Sequence, residues 1–133
     1  MKVLLITGMQ IVREKLRQML EHQPEVEFVK EAEDTSIGLQ AIEDFDPDVA
    51  VIDIETPLRF GTEAVRRMLL QKPTLKIIAL SMYSDRRYLN ACLQAGVCGY
   101  LLKDCAYEEL MDALRSVTSD RQYLSRSIRL LYV

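Results

Sequence analysis

The chain has no apolar run approaching the ~20 residues that a membrane-spanning helix needs. Its opening stretch, Met1-Lys2-Val3-Leu4-Leu5-Ile6, is too short for the hydrophobic region of a secretory signal and reads as a strand. Basic excess is absent too: a net charge of -3 and a pI near 5.2 argue against a nucleic-acid-binding surface in this domain. Cys92, Cys98 and Cys105 are odd in number and contain no C-x-x-C pair. With a single histidine, His22, they point to reduced, structural thiols and a cytoplasmic protein. Internal repeats and low-complexity linkers are also missing. The 133 residues therefore make one domain, long enough for a core without staples. Its hydrophobic fraction of 49% and charged fraction of 28% are ordinary for a soluble globular protein.

What is present centres on Pro47-Asp48-Val49-Ala50-Val51-Ile52-Asp53-Ile54-Glu55-Thr56-Pro57. The apolar run Val49 to Ile52 reads as a strand buried on both faces, as strands of a parallel sheet are. Asp53 stands at its carboxyl end, where open α/β sheets bind ligands. A lone aspartate there is equally able to start a turn or cap a helix.

Strand and helix signals alternate along the chain. Val3–Ile6 is a first strand, broken by Thr7-Gly8, and Ile11, Val12, Leu16, Met19 and Leu20 form one helical face. Pro24 closes that region, and Val26–Ala32 reads as a second strand nearer the sheet edge. Asp34, Thr35 or Ser36 caps the next helix, which presents Gly38, Ala41, Ile42 and Phe45. After the central strand and the loop from Thr56 to Gly61, a third helix presents Ala64, Val65, Met68 and Leu69. Leu75–Leu80 is the fourth strand, ending at Ser81. Leu89, Cys92, Leu93 and Gly96 line a fourth helix, Val97–Leu102 is the fifth strand, and Lys103 stands at its end. Leu110, Ala113, Leu114 and Val117 mark a last helix. Strands each followed by a helix imply βαβ units, right-handed crossovers and a parallel sheet.

Three strand ends thus carry a carboxylate (Asp53), a hydroxyl (Ser81) and an ammonium (Lys103). A carboxylate can attack a phosphoryl donor to form an acyl phosphate. The ammonium and hydroxyl can hold the phosphoryl oxygens, by charge and by a directed hydrogen bond. The structural alternative has Lys103 pairing with a nearby aspartate and Ser81 capping a helix that begins near Asp85.

With these residues in place, the sequence resembles a response-regulator receiver domain of bacterial two-component signalling, in the group with LuxR/NarL-type outputs. The resemblance runs from about Lys2 to Leu124. It rests on Ile11-Val12-Arg13-Glu14, Pro47-Asp48 through Pro57 and Gly61, and Ala79-Leu80-Ser81-Met82-Tyr83. It continues in Ala95-Gly96, Gly99-Tyr100-Leu101-Leu102-Lys103-Asp104 and Tyr123-Leu124-Ser125. It implies a flavodoxin-like doubly wound (βα)5 fold with five parallel strands in order 2-1-3-4-5. By resemblance Asp53 is the phosphoacceptor, Ser81 the switch hydroxyl, Lys103 the phosphoryl-binding lysine and Tyr100 the rotating aromatic. It implies a signalling domain, not an enzyme, with a histidine kinase and a second copy of the chain as partners. DNA would be reached only through an attached output domain, and no membrane is involved. Residues 1–120 form the receiver, and 121–133 begin a linker or C-terminal extension, the output lying elsewhere.

One departure bears on mechanism. Such receivers place two acidic residues after the first strand to hold Mg²⁺; here those positions are Thr7 and Gly8. Mg²⁺ takes octahedral oxygen ligands, chiefly carboxylates, waters and substrate phosphates. The family's metal set retains Asp53 and the Glu55 backbone carbonyl. The expectation is therefore weak or absent Mg²⁺-dependent phosphorylation, with Asp53 free to pair directly with Lys103. An ordinary phospho-accepting receiver is the alternative, and so is a small flavodoxin-like binding protein. No glycine-rich phosphate loop follows the first strand to support the latter. The Lys103-Asp104 bond, lacking proline, is expected trans. His22 and the basic tail residues Arg121, Arg126 and Arg129 read as solvated, and Cys105 as an inert thiol.

Overall fold

The computed structural model describes residues 1–55 and 60–132, apart from the side chain of Phe60. The loop residues 56–59, including Thr56 and Pro57, lie outside the described residues, as does Val133.

The strands are β1 (Lys2–Ile6), β2 (Phe28–Ala32), β3 (Val49–Asp53), β4 (Lys76–Ser81), β5 (Gly99–Leu102) and β6 (Tyr123–Leu124). They form one sheet in order β2-β1-β3-β4-β5-β6, and every pairing is parallel. The helices are α1 (Gln10–Glu21), α2 (Thr35–Phe45), α3 (Phe60–Gln71), α4 (Arg86–Ala95), α5 (Ala106–Thr118) and α6 (Arg126–Tyr132). A 3₁₀ turn at Lys103–Cys105 leads into α5, and the described residues contain no cis peptide, so Lys103-Asp104 is trans as expected.

The strand order 2-1-3-4-5 holds, but the sheet has six strands, not five. Tyr123–Leu124 adds an edge beside Gly99–Tyr100. So short a segment carries no periodic signal of its own; its partner strand makes it a strand. Its backbone groups are paired through Tyr123 N to Cys98 O (3.0 Å) and Ser125 N to Tyr100 O (2.9 Å).

Alternation along the strands sends side chains to two cores. Leu4, Ile6, Ala50, Ile52, Ile77, Ala79 and Tyr100 face α2, α3 and α4, meeting Ile42, Val65, Met68, Leu89 and Cys92. Val3, Leu5, Val49, Val51, Ile78, Leu80 and Leu101 face the opposite side, meeting Leu16 and Leu20 of α1 and Leu110, Leu114 and Val117 of α5. Burying residues on both faces is why β1, β3 and β4 read as continuous apolar runs.

Several boundaries and faces differ from the sequence reading. The second strand starts at Phe28 rather than Val26, and Phe28 itself is 58% exposed, consistent with an edge position. Ile11 is 74% exposed, because on α1 it shares a stripe with the polar Glu14, Lys15 and Gln18, whereas the inward stripe carries Leu16 and Leu20. Gly96 is not part of the α4 face. It ends the helix at φ +117°, a left-handed position where an added Cβ would lie 2.4 Å from Leu69 Cδ1. Asp34 is the α2 cap, its side chain accepting from Ile37 N at 2.9 Å. Among the described residues no helix is long and apolar enough to cross a membrane.

Candidate functional site

The register puts Ile6 beside Ile52, so Thr7 leaves β1 next to Asp53 at the end of β3. The Thr7 hydroxyl donates to Asp53 Oδ2 at 3.1 Å and accepts from Met9 N at 3.2 Å. Thr7 is 3% exposed, so this hydroxyl is a built-in part of the site. Lys103, delivered by the end of β5, brings Nζ to 2.5 Å from Asp53 Oδ1. The Asp53 side chain is 4% exposed and that of Lys103 22%, so the pair is shielded but not sealed. Among the described residues Oδ1 accepts no hydrogen bond; charge and proximity hold the pair. The direct pairing of Asp53 with Lys103 that the sequence led us to expect is present. It is also the pairing that the structural alternative allowed for Lys103.

Ser81, at the end of β4, is fully buried, and its hydroxyl accepts from Tyr83 N at 3.0 Å. It does not cap α4; Asp85 does, accepting from Arg87 N at 2.7 Å. Tyr100 is fully buried as well, and its hydroxyl donates to Tyr83 O at 2.5 Å. Burial pushes the Tyr100 phenol up to about 12, against a smaller opposing effect of the Ser81 hydroxyl. Tyr83 thus joins Ser81 and Tyr100 through its own two backbone groups.

Beside Asp53 opens a crevice of about 260 Å³ lined by Thr7, Gly8, Glu33, Asp34 and Glu55, among others. Thr7, Gly8, Asp53, Glu55 and Lys103 are therefore gathered at one end of the sheet, with Ser81 and Tyr100 linked to each other behind it. Three contributors were missed in the sequence. Glu33 and Asp34 follow β2, whose neighbourhood to β1 is a tertiary matter. Arg13 was noted only within a motif, yet its Nη1 donates to Thr7 O at 2.7 Å while Nε pairs with Glu31 at 3.2 Å. That guanidinium fixes the peptide carrying the Thr7 hydroxyl. An arginine one helical turn into the helix after such a strand was the available signal.

Gly8 has no backbone reason to be glycine. Its φ is not in the left-handed region, and an added Cβ would meet only Glu33 O, at 3.4 Å. At Gly38, by contrast, a Cβ would come within 2.6 Å of Ile6 Cδ1.

Mg²⁺ would need several oxygen ligands converging on one point. Among the described residues no three His, Cys, Asp or Glu side chains are gathered for a metal. The Asp53 carboxylate already has a lysine on one oxygen and a threonine on the other. The residues present do not fit a carboxylate-built Mg²⁺ site.

Residues outside the crevice behave as solvated or structural groups. His22 Nδ1 lies 2.6 Å from Gln18 O on an exposed turn. The Cys105 thiol is pushed up by burial and then by Asp104, and burial alone pushes Cys92 up to about 11. Thiolates are the reactive form, so both changes make these thiols less reactive. Arg121 and Arg126 are exposed, and the Arg129 guanidinium lies 5.3 Å from the Tyr123 ring centroid.

A doubly wound parallel sheet with a carboxylate–ammonium pair across the ends of β3 and β5, the strands on either side of β4, defines an α/β domain built to present one aspartate in a crevice. The chain belongs to the response regulator receiver domain family, which it matches over residues 3–115. It is 32% identical over 123 residues to the transcriptional regulatory protein DegU of Brevibacillus brevis, covering 92% of this chain and 52% of that protein. To the uncharacterized transcriptional regulatory protein YhcZ of Bacillus subtilis (strain 168) it is 34% identical, covering 96% of this chain and 59% of that protein. The chain thus spans little more than half the length of these relatives. Among solved structures, a LuxR-family two-component response regulator from Aurantimonas sp. SI85-9A1 superposes with a TM-score of 0.88 at 26% identity, over 97% of this chain and 92% of that one. The isolated receiver domain of RcsB from Salmonella enterica serovar Typhimurium, in its apo form, superposes with a TM-score of 0.88 at 27% identity, over 100% and 99%.

Proposed function

We propose that this receiver domain is an atypical one, in which Asp53 is held by Lys103 and Thr7 and accepts a phosphoryl group weakly or not at all with Mg²⁺. The observation that carries this reading is the 2.5 Å Lys103 Nζ–Asp53 Oδ1 pair, with Thr7 on the other oxygen. For Asp53 to attack a phosphoryl donor, one carboxylate oxygen must face the phosphorus in line and Lys103 must move to the phosphoryl oxygens. Here both oxygens are engaged, so the pair must open first. The two positions that would supply further carboxylates hold a hydroxyl and a hydrogen.

The domain then signals through its surface, in the control of transcription by an output domain outside this chain, in the cytoplasm. Relatives named as transcriptional regulators, and an RcsB–DNA complex among the structural neighbours at a TM-score of 0.88, support this context. A second copy of the chain is the partner we assign to the α1/α5 face, where Met9, Ile11 and Tyr107 are exposed.

The second reading is an ordinary receiver switched by a histidine kinase at Asp53. Retention of Asp53, Ser81, Lys103 and Tyr100 together favours it. Intact-mass measurement after incubation with a small-molecule phosphodonor, with and without Mg²⁺, separates the two. The atypical reading expects no Mg²⁺-dependent adduct; a Mg²⁺-dependent gain of one phosphoryl group, lost in Asp53→Asn, establishes the ordinary one.

A further inference from the structure

The segment after α5 is bound to the switch residues at both of its ends. Its root is firm. Glu109, 4% exposed, accepts from the Tyr123 hydroxyl at 2.7 Å and from Arg126 N at 3.0 Å, which caps the start of α6. Ser125 is fully buried; its hydroxyl accepts from Leu102 N at 2.9 Å and its own N–H donates to Tyr100 O. Ile128 is fully buried in the same core as Tyr100, with Leu124 and Tyr132 packed against it. Its tip is lighter. The Tyr132 hydroxyl donates to Ser84 O at 2.6 Å, and the Arg86 guanidinium lies 5.3 Å from the Tyr132 ring centroid.

Ser84 follows Tyr83, whose carbonyl accepts from Tyr100 and whose N–H donates to Ser81. We propose that β6 and α6 form a built-in strap: by holding the loop between β4 and α4 at Ser84, the strap keeps Tyr100 buried and the Ser81 hydroxyl on the Tyr83 N–H. The root cannot leave without exposing Ile128 and unpairing Glu109, whereas the tip is held by one neutral hydrogen bond, one ring contact and the packing of a half-buried Tyr132 ring at the margin of that core. The tip is therefore the part that releases. Release frees Ser84 and Tyr83, and with them the acceptor of the Tyr100 hydroxyl and the donor to Ser81. Coupling between two sites is reciprocal. A group entering the crevice that draws the Ser81 hydroxyl toward Asp53 pulls Tyr83 away and loosens Tyr132. Chain or partner that takes hold of α6 loosens Tyr83 in turn. This holds whether or not Asp53 is phosphorylated.

The test is residue-resolved amide exchange and tyrosine ring spectra of the chain by NMR, comparing Tyr132→Phe, Ser81→Ala and, as a control remote from the strap, Tyr107→Phe. Tyr132→Phe keeps the ring on Arg86 and removes only the hydroxyl. Its Tyr83 amide is expected to exchange about fivefold faster, the factor one neutral hydrogen bond is worth, and the Tyr100 ring signals to shift. Core amides such as Val51 stay protected, and Tyr107→Phe changes neither. Ser81→Ala, acting from the other end, is expected to shift the Tyr132 ring signals. Unchanged Tyr83 exchange in Tyr132→Phe overturns the strap. A faster Tyr83 amide with an unmoved Tyr132 ring in Ser81→Ala also overturns it, reducing α6 to a local anchor.

Discussion

Thr7 and Lys103 divide the Asp53 carboxylate between them, the hydroxyl 3.1 Å from Oδ2 and the ammonium 2.5 Å from Oδ1. One carboxylate with two dedicated partners is a stabilising arrangement before it is a reactive one.

Removing Lys103 leaves a carboxylate whose side chain is 4% exposed without its counter-charge. Breaking a buried pair from one side costs about 3–5 kcal/mol. Since Lys103 is 22% exposed and water reaches the crevice, Lys103→Ala should lose about 3 kcal/mol, at the low end. Asp53→Asn on that background should recover much of the loss, since the stranded charge is gone. Urea melts of the three chains read this directly; equal midpoints for the wild-type chain and Lys103→Ala would remove the pair from the stability account.

The acidic pair can be rebuilt. Gly8 has room for a side chain, and Thr7 already points its hydroxyl at Asp53. A Thr7→Asp, Gly8→Asp chain should fold, gain a saturable Mg²⁺ signal at millimolar concentration, and lose it again in Asp53→Asn. The unmodified chain should give none in the same titration. Tight Mg²⁺ binding by the unmodified chain would mean that Glu55 or backbone oxygens replace the missing acids.

Alkaline pH should unfold the domain earlier than its charge alone suggests. Burial holds the phenols of Tyr100 and Tyr123 up at about 12, the latter helped by Glu109, against an ordinary value of 10. Between those values the unfolded chain has lost protons that the folded chain keeps, so stability falls as pH rises. The contribution is complete below pH 10 and declines through 12, by roughly 3 kcal/mol per tyrosine at most. Melting temperatures from pH 8 upward should show this decline, and Tyr100→Phe should flatten it. An unchanged slope in that variant counts against the shift.

Self-association is predicted through the first and fifth helices. Ile11 is 74% and Met9 50% exposed at the start of α1, and Lys15 sits 5.5 Å from the ring centroid of Tyr107 on α5. Ile11→Glu should weaken a dimer about tenfold or more by placing a charge in an apolar contact. Sedimentation velocity over a concentration series measures it. A chain that stays monomeric at the highest concentrations leaves that face without the proposed partner.

Much of the fold was legible because its signals are local. Val49–Ile52 is apolar without interruption and Leu75–Leu80 is apolar but for Lys76, and each gives way to a helical period within a few residues. The strand ends Asp53, Ser81 and Lys103 followed from those boundaries. The Asp53–Lys103 contact was legible for an electrostatic reason: with no acids at positions 7 and 8, no carboxylate there competes with Asp53 for the lysine. Ile11 misled because one apolar residue on a polar stripe looks the same in sequence as one on the buried stripe.

By itself, then, the sequence determined the order of the first five strands and helices, the carboxylate at the end of the central strand, and the threonine and glycine that follow the first strand. These depend on residue type and short-range periodicity, which survive in a one-dimensional reading. Only the tertiary structure decided that Thr7 would reach Asp53 across 46 positions, that Arg13 would brace Thr7, and that Tyr132 would bond Ser84 across 48. It also decided that Tyr123–Leu124 is a strand at all. A single hydrogen bond is worth only about 1 kcal/mol, too little to impose a pairing along the chain. Such contacts form where burial of the two cores has already brought the partners together.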